Sequence, residues 1–201
     1  MQRAKGLLLL SGGIDSPVAG SIVAEQAELF ALHFSNEKFA GSESVEKCRR
    51  ISKKLGIKKL IVLDISEQLE EIAKKTAEAY YFILMRRLMY RIAERVAEKE
   101  KCSFLVTGES LGQVSSQTLS NLAATARAVQ IPVVRPLLGF NKRETTALAR
   151  KIGTFEISKG PEMCDVLGPK HPSTHASLER VEEEEAKLDF GKLVQEAVSK
   201  L

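Results

Sequence analysis

Ser11-Gly12-Gly13-Ile14-Asp15-Ser16 stands directly after the apolar run Leu7–Leu10 and directly before Pro17. The run reads as a buried strand, the paired glycines permit a tight turn, and proline suits the first turn of a helix. Such a turn aims free backbone N–H groups outward, and the helix dipole adds partial positive charge, so the segment suits a phosphate. The hydroxyls of Ser11 and Ser16 could add donors. Asp15, an anion beside an anion site, suits either a helix cap or a ligand holding magnesium on the phosphates. A plain strand-turn-helix with an Asp or Ser cap is the alternative for the same residues. The loop is not the Walker loop, which needs Gly-Lys-Ser/Thr, nor the dinucleotide fingerprint Gly-x-Gly-x-x-Gly.

A second glycine-bearing turn, Thr107-Gly108-Glu109-Ser110-Leu111-Gly112-Gln113-Val114-Ser115-Ser116-Gln117-Thr118, closes the apolar stretch Phe104–Thr107. Glycine at 108 would let a backbone approach a nucleotide closely, and Gln117 could reach its polar edge. A βα loop with a glycine turn and a serine-rich helix start is the alternative.

The elements that must hold these two turns follow from the pattern of short apolar runs and helix-length segments, which predicts βαβ units around a parallel sheet. Strands are expected at Leu7–Leu10, Leu29–Phe34, Leu60–Leu63, Phe104–Thr107 and Val133–Val134. Helices are expected near 16–26, 43–55, 67–79, 80–100, 115–128 and 142–151, with Gly56 and Gly153 as C-terminal stops. Leu84, Leu88, Ile92 and Val96 recur every four residues and mark the buried face of the fourth helix. In an open sheet of this kind ligands bind beyond the carboxyl ends of the strands, so the first and fourth strands would flank the crevice. The expected fold is a doubly wound, Rossmann-like parallel sheet of about five strands. No repeat or linker divides the chain, so 1–201 reads as a single domain, with 176–201 as a C-terminal helical extension packed on it.

The quoted segments, together with Arg135-Pro136-Leu137, Ala149-Arg150-Lys151-Ile152-Gly153-Thr154, Pro161-Glu162-Met163-Cys164 and Pro169-Lys170-His171-Pro172, occur in a telling order. The first loop resembles the pyrophosphatase (PP) loop of enzymes that cleave ATP to AMP and pyrophosphate. The whole set resembles the catalytic domain of the ThiI family, the tRNA 4-thiouridine sulfurtransferases. That resemblance implies an ATP site lined by Leu9, Leu10, Ser11, Gly12, Gly13, Asp15, Ser16, His33, Phe34, Arg86, Gly108 and Gln117, with magnesium near Asp15. It implies a catalytic lysine at Lys142, where a cation would stabilise charge on the α-phosphate, and a persulfide-carrying cysteine at Cys164. Cys48 and Cys102 read as packing residues. Arg87, Arg91 and Arg95 form an i, i+4 stripe that could meet RNA phosphates, but Glu94 and Glu98 beside it favour a solvated face. Glu182–Glu185 reads as a solvated face as well.

The resemblance further implies adenylation of a tRNA uridine, sulfur transfer to it, and a link to thiamine biosynthesis. The family's N-terminal THUMP region and the rhodanese domain of some members have no counterpart among these residues. Other members carry Cys-x-x-Cys and an iron–sulfur cluster, whereas Leu167 occupies the fourth position here. The expected partners are therefore tRNA, a separate sulfur donor (a cysteine desulfurase or sulfide) and a separate THUMP-type RNA-binding protein. Two other readings suit the first loop: an ATP pyrophosphatase acting on a small molecule, and an ATP-binding sensor without catalysis.

Composition narrows the setting. Residues 176–201 carry four Lys/Arg and seven Asp/Glu, so the remainder of the net +4 chain holds +7, a lean towards phosphate-bearing ligands. Leu7–Leu10 is far too short for a membrane span and lacks the flanks of a secretory signal. Three cysteines cannot all pair within one chain, which suits a reducing cytoplasm.

Overall fold

The first apolar run becomes the centre of the sheet, and Leu7 and Leu8 are wholly buried because the strand is covered on both faces. The computed structural model describes residues 3–112, 116–159 and 167–201. In chain order the elements are β1 (Lys5–Leu9), α1 (Asp15–Ala24), β2 (Glu28–Ser35), α2 (Glu37–Ala40), α3 (Glu43–Lys54), β3 (Leu60–Asp64) and α4 (Ser66–Lys75). After a 3-10 turn at Glu78–Tyr80 come α5 (Tyr81–Glu100), β4 (Phe104–Val106), α6 (Leu119–Ala126), β5 (Val133–Val134) and α7 (Lys142–Lys151). The chain continues through α8 (Phe155–Ser158), α9 (Leu178–Glu185) and α10 (Phe190–Val198).

The five strands are all parallel, in the order β3-β2-β1-β4-β5. Leu7 lies opposite Phe30 on β2 and opposite Leu105 on β4, which places β1 centrally. One core layer joins the sheet to α1, α3 and α7 through Val18, Cys48, Ile51 and Ala149. The other joins it to α4, α5, α6 and α10 through Leu69, Leu88, Ala124 and Leu193. The chain therefore leaves β1 towards one face and β4 towards the opposite face. Their carboxyl ends frame the switch-point crevice where ligands of doubly wound sheets bind.

The helix ends differ from expectation for local reasons. The cap of α1 falls on Ile14, which has no side-chain acceptor, and Asp15 is the first helical residue, so Asp15 is not the N-cap. Helix α6 begins at Leu119 because the Thr118 hydroxyl caps the Asn121 N–H. The segment expected as one helix over 67–79 breaks after Lys75, where Thr76 turns extended. Gly56 and Gly153 take the left-handed conformation after α3 and α7, as expected of helix stops.

The charged faces hold the larger correction. Arg87 is 2% exposed, and with Arg91 it pairs with Glu185, itself 9% exposed. Arg87 also donates to the Ala124 carbonyl on α6 at 2.5 Å. Burial works to raise the Glu185 pKa, but hydrogen bonds from Arg91 and Arg87 hold it below the ordinary carboxylate value. Arg87, Arg91 and Glu185 clasp α9 to α5 and α6 and are not solvated, whereas Glu182 and Glu183 are exposed as expected. On the arginine stripe Arg95, paired with exposed Glu98, matches the expected solvated reading. Glu94 instead accepts the backbone N–H groups of Gln130 and Ile131 at 2.8 and 2.9 Å. Phe190, Leu193, Val194 and Ala197 seat α10 in the core, whereas Leu201 lies beyond the helix and is exposed. Among the described residues no helix is long and apolar enough to cross a membrane.

Candidate active site

The loop after β1 is held closed by its own hydroxyls. The Ser11 N–H donates to Ser16 Oγ at 3.0 Å, the two hydroxyls meet at 3.1 Å, and the Gly13 N–H donates to Ser11 Oγ at 3.3 Å. Gly12 takes φ +81°, a left-handed conformation that costs glycine least. Both serine oxygens thus accept backbone N–H groups and shape the turn expected to hold a phosphate. The cradle itself comes from the backbone, since α1 starts without a side-chain cap and its first N–H groups have no helical acceptor. That arrangement fits a phosphate.

The loop after β4 closes on this cradle. A Cβ built on Gly108 would lie 2.6 Å from the Ser16 nitrogen, 2.7 Å from the Asp15 carbonyl carbon and 2.8 Å from the Ser16 Cα. Gly108 thus admits the backbone of the first loop, where the sequence suggested the approach of a nucleotide. Gln117 accepts the Ser110 N–H through Oε1 at 3.0 Å, and its carbonyl accepts the Gly112 N–H at 2.9 Å. It braces the turn from which the expected contact would be made.

His33 is buried two residues before the end of β2. Its Nδ1 lies 2.8 Å from the Leu10 carbonyl and its Nε2 lies 3.2 Å from Ser44 Oγ. A carbonyl only accepts, so Nδ1 carries the proton and Nε2 accepts from the serine. Burial lowers the His33 pKa, outweighing the Leu10 hydrogen bond, and the ring is neutral at pH 7. The imidazole therefore ties the end of β1 to α3, with Cys48 Sγ 3.3 Å from Nδ1. Cys48 and Cys102 are both buried, and burial raises the Cys102 thiol to about 11, consistent with packing roles.

A pocket opens beside this ring, lined by Ser11, His33, Phe34, Ile65, Met85 and Met89 among others. Its walls are mostly apolar; Ser35 and Asn36 also line it, and their buried Oγ and Oδ1 have no hydrogen-bond partner among the described residues. Apolar walls with a few polar side chains at their edge are the kind of lining a heterocyclic base uses. Cradle and pocket share Ser11. Leu9 closes β1 and packs on the α5 side, and Leu10, which follows it and is 2% exposed, belongs to the layer with Val18 and Cys48.

Arg86 stands on α5 between Met85 and Met89, and its Nη1 donates to Glu109 Oε1 at 2.8 Å. Glu109, 3% exposed, also accepts from Tyr90, Thr107 and Arg135. Burial works to raise its pKa, but Arg86 and Arg135 overcome this and hold it below the ordinary carboxylate value. Burial, then the charge of Glu109, pushes the Tyr90 pKa upward, so its proton stays available to donate. Glu109 and Arg135 stand within the recognisable motifs with no role legible from sequence, and Tyr90, Asn36 and the two methionines carry no motif at all. The i, i+4 spacing of Arg86 and Tyr90, read against an acid just after a strand, was the signal available.

Lys142 is exposed at the first position of α7, behind an Asn141–Glu144 capping box. The chain leaves the carboxyl end of β5 for α7, so Lys142 lies on the same side of the sheet as the cradle. Cys164 and its neighbours at 160–166 lie outside the described residues. The flanks are described. Ser158 donates to the Gly13 carbonyl of the first loop at 3.1 Å. On the far side, Asn121 bonds the Ser173 carbonyl at 2.8 Å and the Ala176 N–H at 3.0 Å. Among the described residues no cluster of three or more His, Cys, Asp or Glu could hold a metal ion.

Comparison with known proteins agrees with this geometry. A protein from Moorella thermoacetica named probable tRNA sulfurtransferase is 43% identical over 204 residues, covering 98% of this chain and 52% of that protein. One of the same name from Alkaliphilus metalliredigens is 44% identical over 203 residues, again covering 98% and 52%. A crystal structure of a 4-thiouridine synthetase–RNA complex with bound ATP matches with TM-score 0.92 at 37% identity, covering 98% of this chain and 53% of that one. The NMN synthetase of Francisella tularensis, at TM-score 0.62 and 14% identity, shares the fold alone. The chain spans about half the length of the curated relatives it matches. With the family model described as thiamine biosynthesis protein (ThiI) matching residues 2–190, the chain belongs to the ThiI family.

Proposed function

We propose that this chain is the adenylating and sulfur-transferring unit of an ATP-dependent tRNA sulfurtransferase that forms 4-thiouridine, AMP and pyrophosphate. The observation that carries the reading is the near-complete match to an ATP-bound 4-thiouridine synthetase–RNA complex. The cradle of Ser11–Ser16 and the adjoining apolar pocket support the nucleotide half of it.

Uridine O4 attacks the α-phosphorus of ATP, the bond to the bridging oxygen breaks, pyrophosphate leaves, and the N3 proton passes to solvent. Adenylation is needed because a carbonyl oxygen is a poor leaving group and AMP is a good one. The backbone N–H groups of the α1 start would hold phosphate oxygens, and Arg86 and Lys142 would oppose the charge that develops. Magnesium, held by phosphate oxygens beside Asp15, would neutralise the departing pyrophosphate. The terminal sulfur of a Cys164 persulfide, loaded by a cysteine desulfurase, then adds to C4 and AMP leaves. A second thiol attacks the Cys164 sulfur, breaks the S–S bond and frees 4-thiouridine, leaving Cys164 in a disulfide with that thiol. Inorganic sulfide attacking C4 directly is the other donor this chemistry admits. The ties of Ser158 to the first loop and of Ser173 and Ala176 to α6 support delivery of the Cys164 segment to the crevice. A THUMP-type protein would present the tRNA, in the cytoplasm, and the description of the matching family favours thiamine biosynthesis as a second outlet for the sulfur.

The test is sulfur incorporation into tRNA by the chain supplied with ATP, a cysteine desulfurase, cysteine, a reducing thiol and a THUMP protein. Wild type should thiolate tRNA, and Cys164→Ser should not. Thiolation that survives Cys164→Ser would remove the persulfide, and its absence from wild type would remove the tRNA reading.

A further inference from the structure

The two oxygens of Glu109 are used unequally. Oε2 accepts three hydrogen bonds, from the Tyr90 hydroxyl at 2.5 Å, Thr107 Oγ1 at 3.1 Å and Arg135 Nε at 2.8 Å. Those donors come from α5, the end of β4 and the loop after β5, so the carboxylate is bolted to three parts of the fold through a single oxygen. Oε1 accepts only from Arg86 Nη1, at 2.8 Å, among the described residues. Arg86 Nε, buried, has no hydrogen-bond partner among them.

Charge sharpens the asymmetry. One carboxylate serves two guanidinium groups, so the cluster carries a surplus positive charge in a largely buried setting, with the Arg86 side chain 23% and the Arg135 side chain 15% exposed. A purely structural ion pair would balance, since unneutralised charge is costly to bury. Arg135 is further satisfied by the Tyr90 oxygen at 3.3 Å. The unsatisfied donor and the less buried guanidinium both belong to Arg86. Its neighbours on the helix, Met85 and Met89, line the nucleotide pocket. Helix α5 ends where β4 begins, so it runs antiparallel to the strands and its first half lies at their carboxyl ends.

We infer that Glu109 is a positioning residue for ATP: anchored through Oε2, it uses Oε1 to hold the Arg86 guanidinium at the crevice with its surplus charge directed at the nucleotide's phosphates. This rests on the proposed ATP site. Glu109 itself touches no substrate in this account and acts through Arg86.

The test is ATP binding by calorimetry on the intact chain, which needs neither tRNA nor a sulfur donor. Glu109→Gln should weaken ATP about tenfold, a loss typical of supporting partners one step removed from a ligand. Glu109→Asp keeps the charge that Arg135 and Tyr90 need for folding but withdraws the carboxylate by one methylene, and it should weaken ATP by a similar factor. In an Arg86→Ala background either change should add less than about twofold, because the residue it acts through is gone. Folded Glu109→Gln and Glu109→Asp variants that bind ATP as wild type does would overturn the inference. So would an equal loss with and without Arg86, which marks a general structural effect. Failure of the wild-type chain to bind ATP overturns the ATP site itself and is distinguishable from both.

Discussion

The loop after β1 and the loop after β4 face each other across one crevice and are built from different physics. The first works through its backbone: a left-handed glycine, two hydroxyls that close the turn, and a helix start without a side-chain cap. The second works through buried charge, with Glu109 gathering Arg86, Arg135 and Tyr90 from outside its own loop. A backbone cradle recognises any phosphate and is fixed as soon as the turn folds. A charge hub needs the whole sheet assembled before its parts meet. The contrast teaches that a nucleotide site can take its generic phosphate grip from local sequence and its directed charge from tertiary structure.

The sharpest way to break this contrast is at the point where the loops touch. Gly108→Val would drive side-chain carbons into the Asp15–Ser16 backbone, which cannot rotate away. It should lower stability by about 3 kcal/mol, read by urea unfolding, and abolish ATP binding. Loss of ATP binding without loss of stability would show that the loops are not mutually supporting.

Acid separates the loops next. Glu109 has a folded pKa below the ordinary 4.5, so its contribution to stability is fully present above that value and is lost as pH falls through the folded pKa. The stability gap between wild type and Glu109→Gln should therefore narrow on acidification below pH 4.5 and stay constant above it, as read by urea midpoints across pH. A gap unchanged down to pH 2 would mean that the charge of Glu109 plays no part. The smallest effect belongs to the first loop. Gly12→Ala meets nothing closer than Cys48 Sγ at 3.5 Å, so only the left-handed backbone resists it. The cost should be about 1 kcal/mol, with a matching weakening of ATP.

The same contrast explains what was legible in the sequence. The first loop could be read because its parts are consecutive and follow an apolar run, and the five strands could be read because buried parallel strands are continuously apolar. The hub could not, since Arg86 and Arg135 lie 23 and 26 positions from Glu109. Charge in a sequence names no partner. Arg87 and Glu185, 98 positions apart, each read as solvated and instead neutralise one another in the core. Glycine was half legible: the need for space at 108 was visible, but not that the backbone of the first loop comes within 2.6 Å of a Cβ there. The role of Asp15 turned on a single residue of helix register, which shifted the cap to Ile14.

The most direct measurement of the central claim is the fate of ATP when the chain meets unmodified tRNA and no sulfur donor. The account predicts tRNA-dependent release of pyrophosphate with the AMP moiety carried on uridine, in wild type and in Cys164→Ser alike, because adenylation precedes the sulfur step. Release of orthophosphate and ADP, or pyrophosphate release indifferent to tRNA uridine, would contradict it.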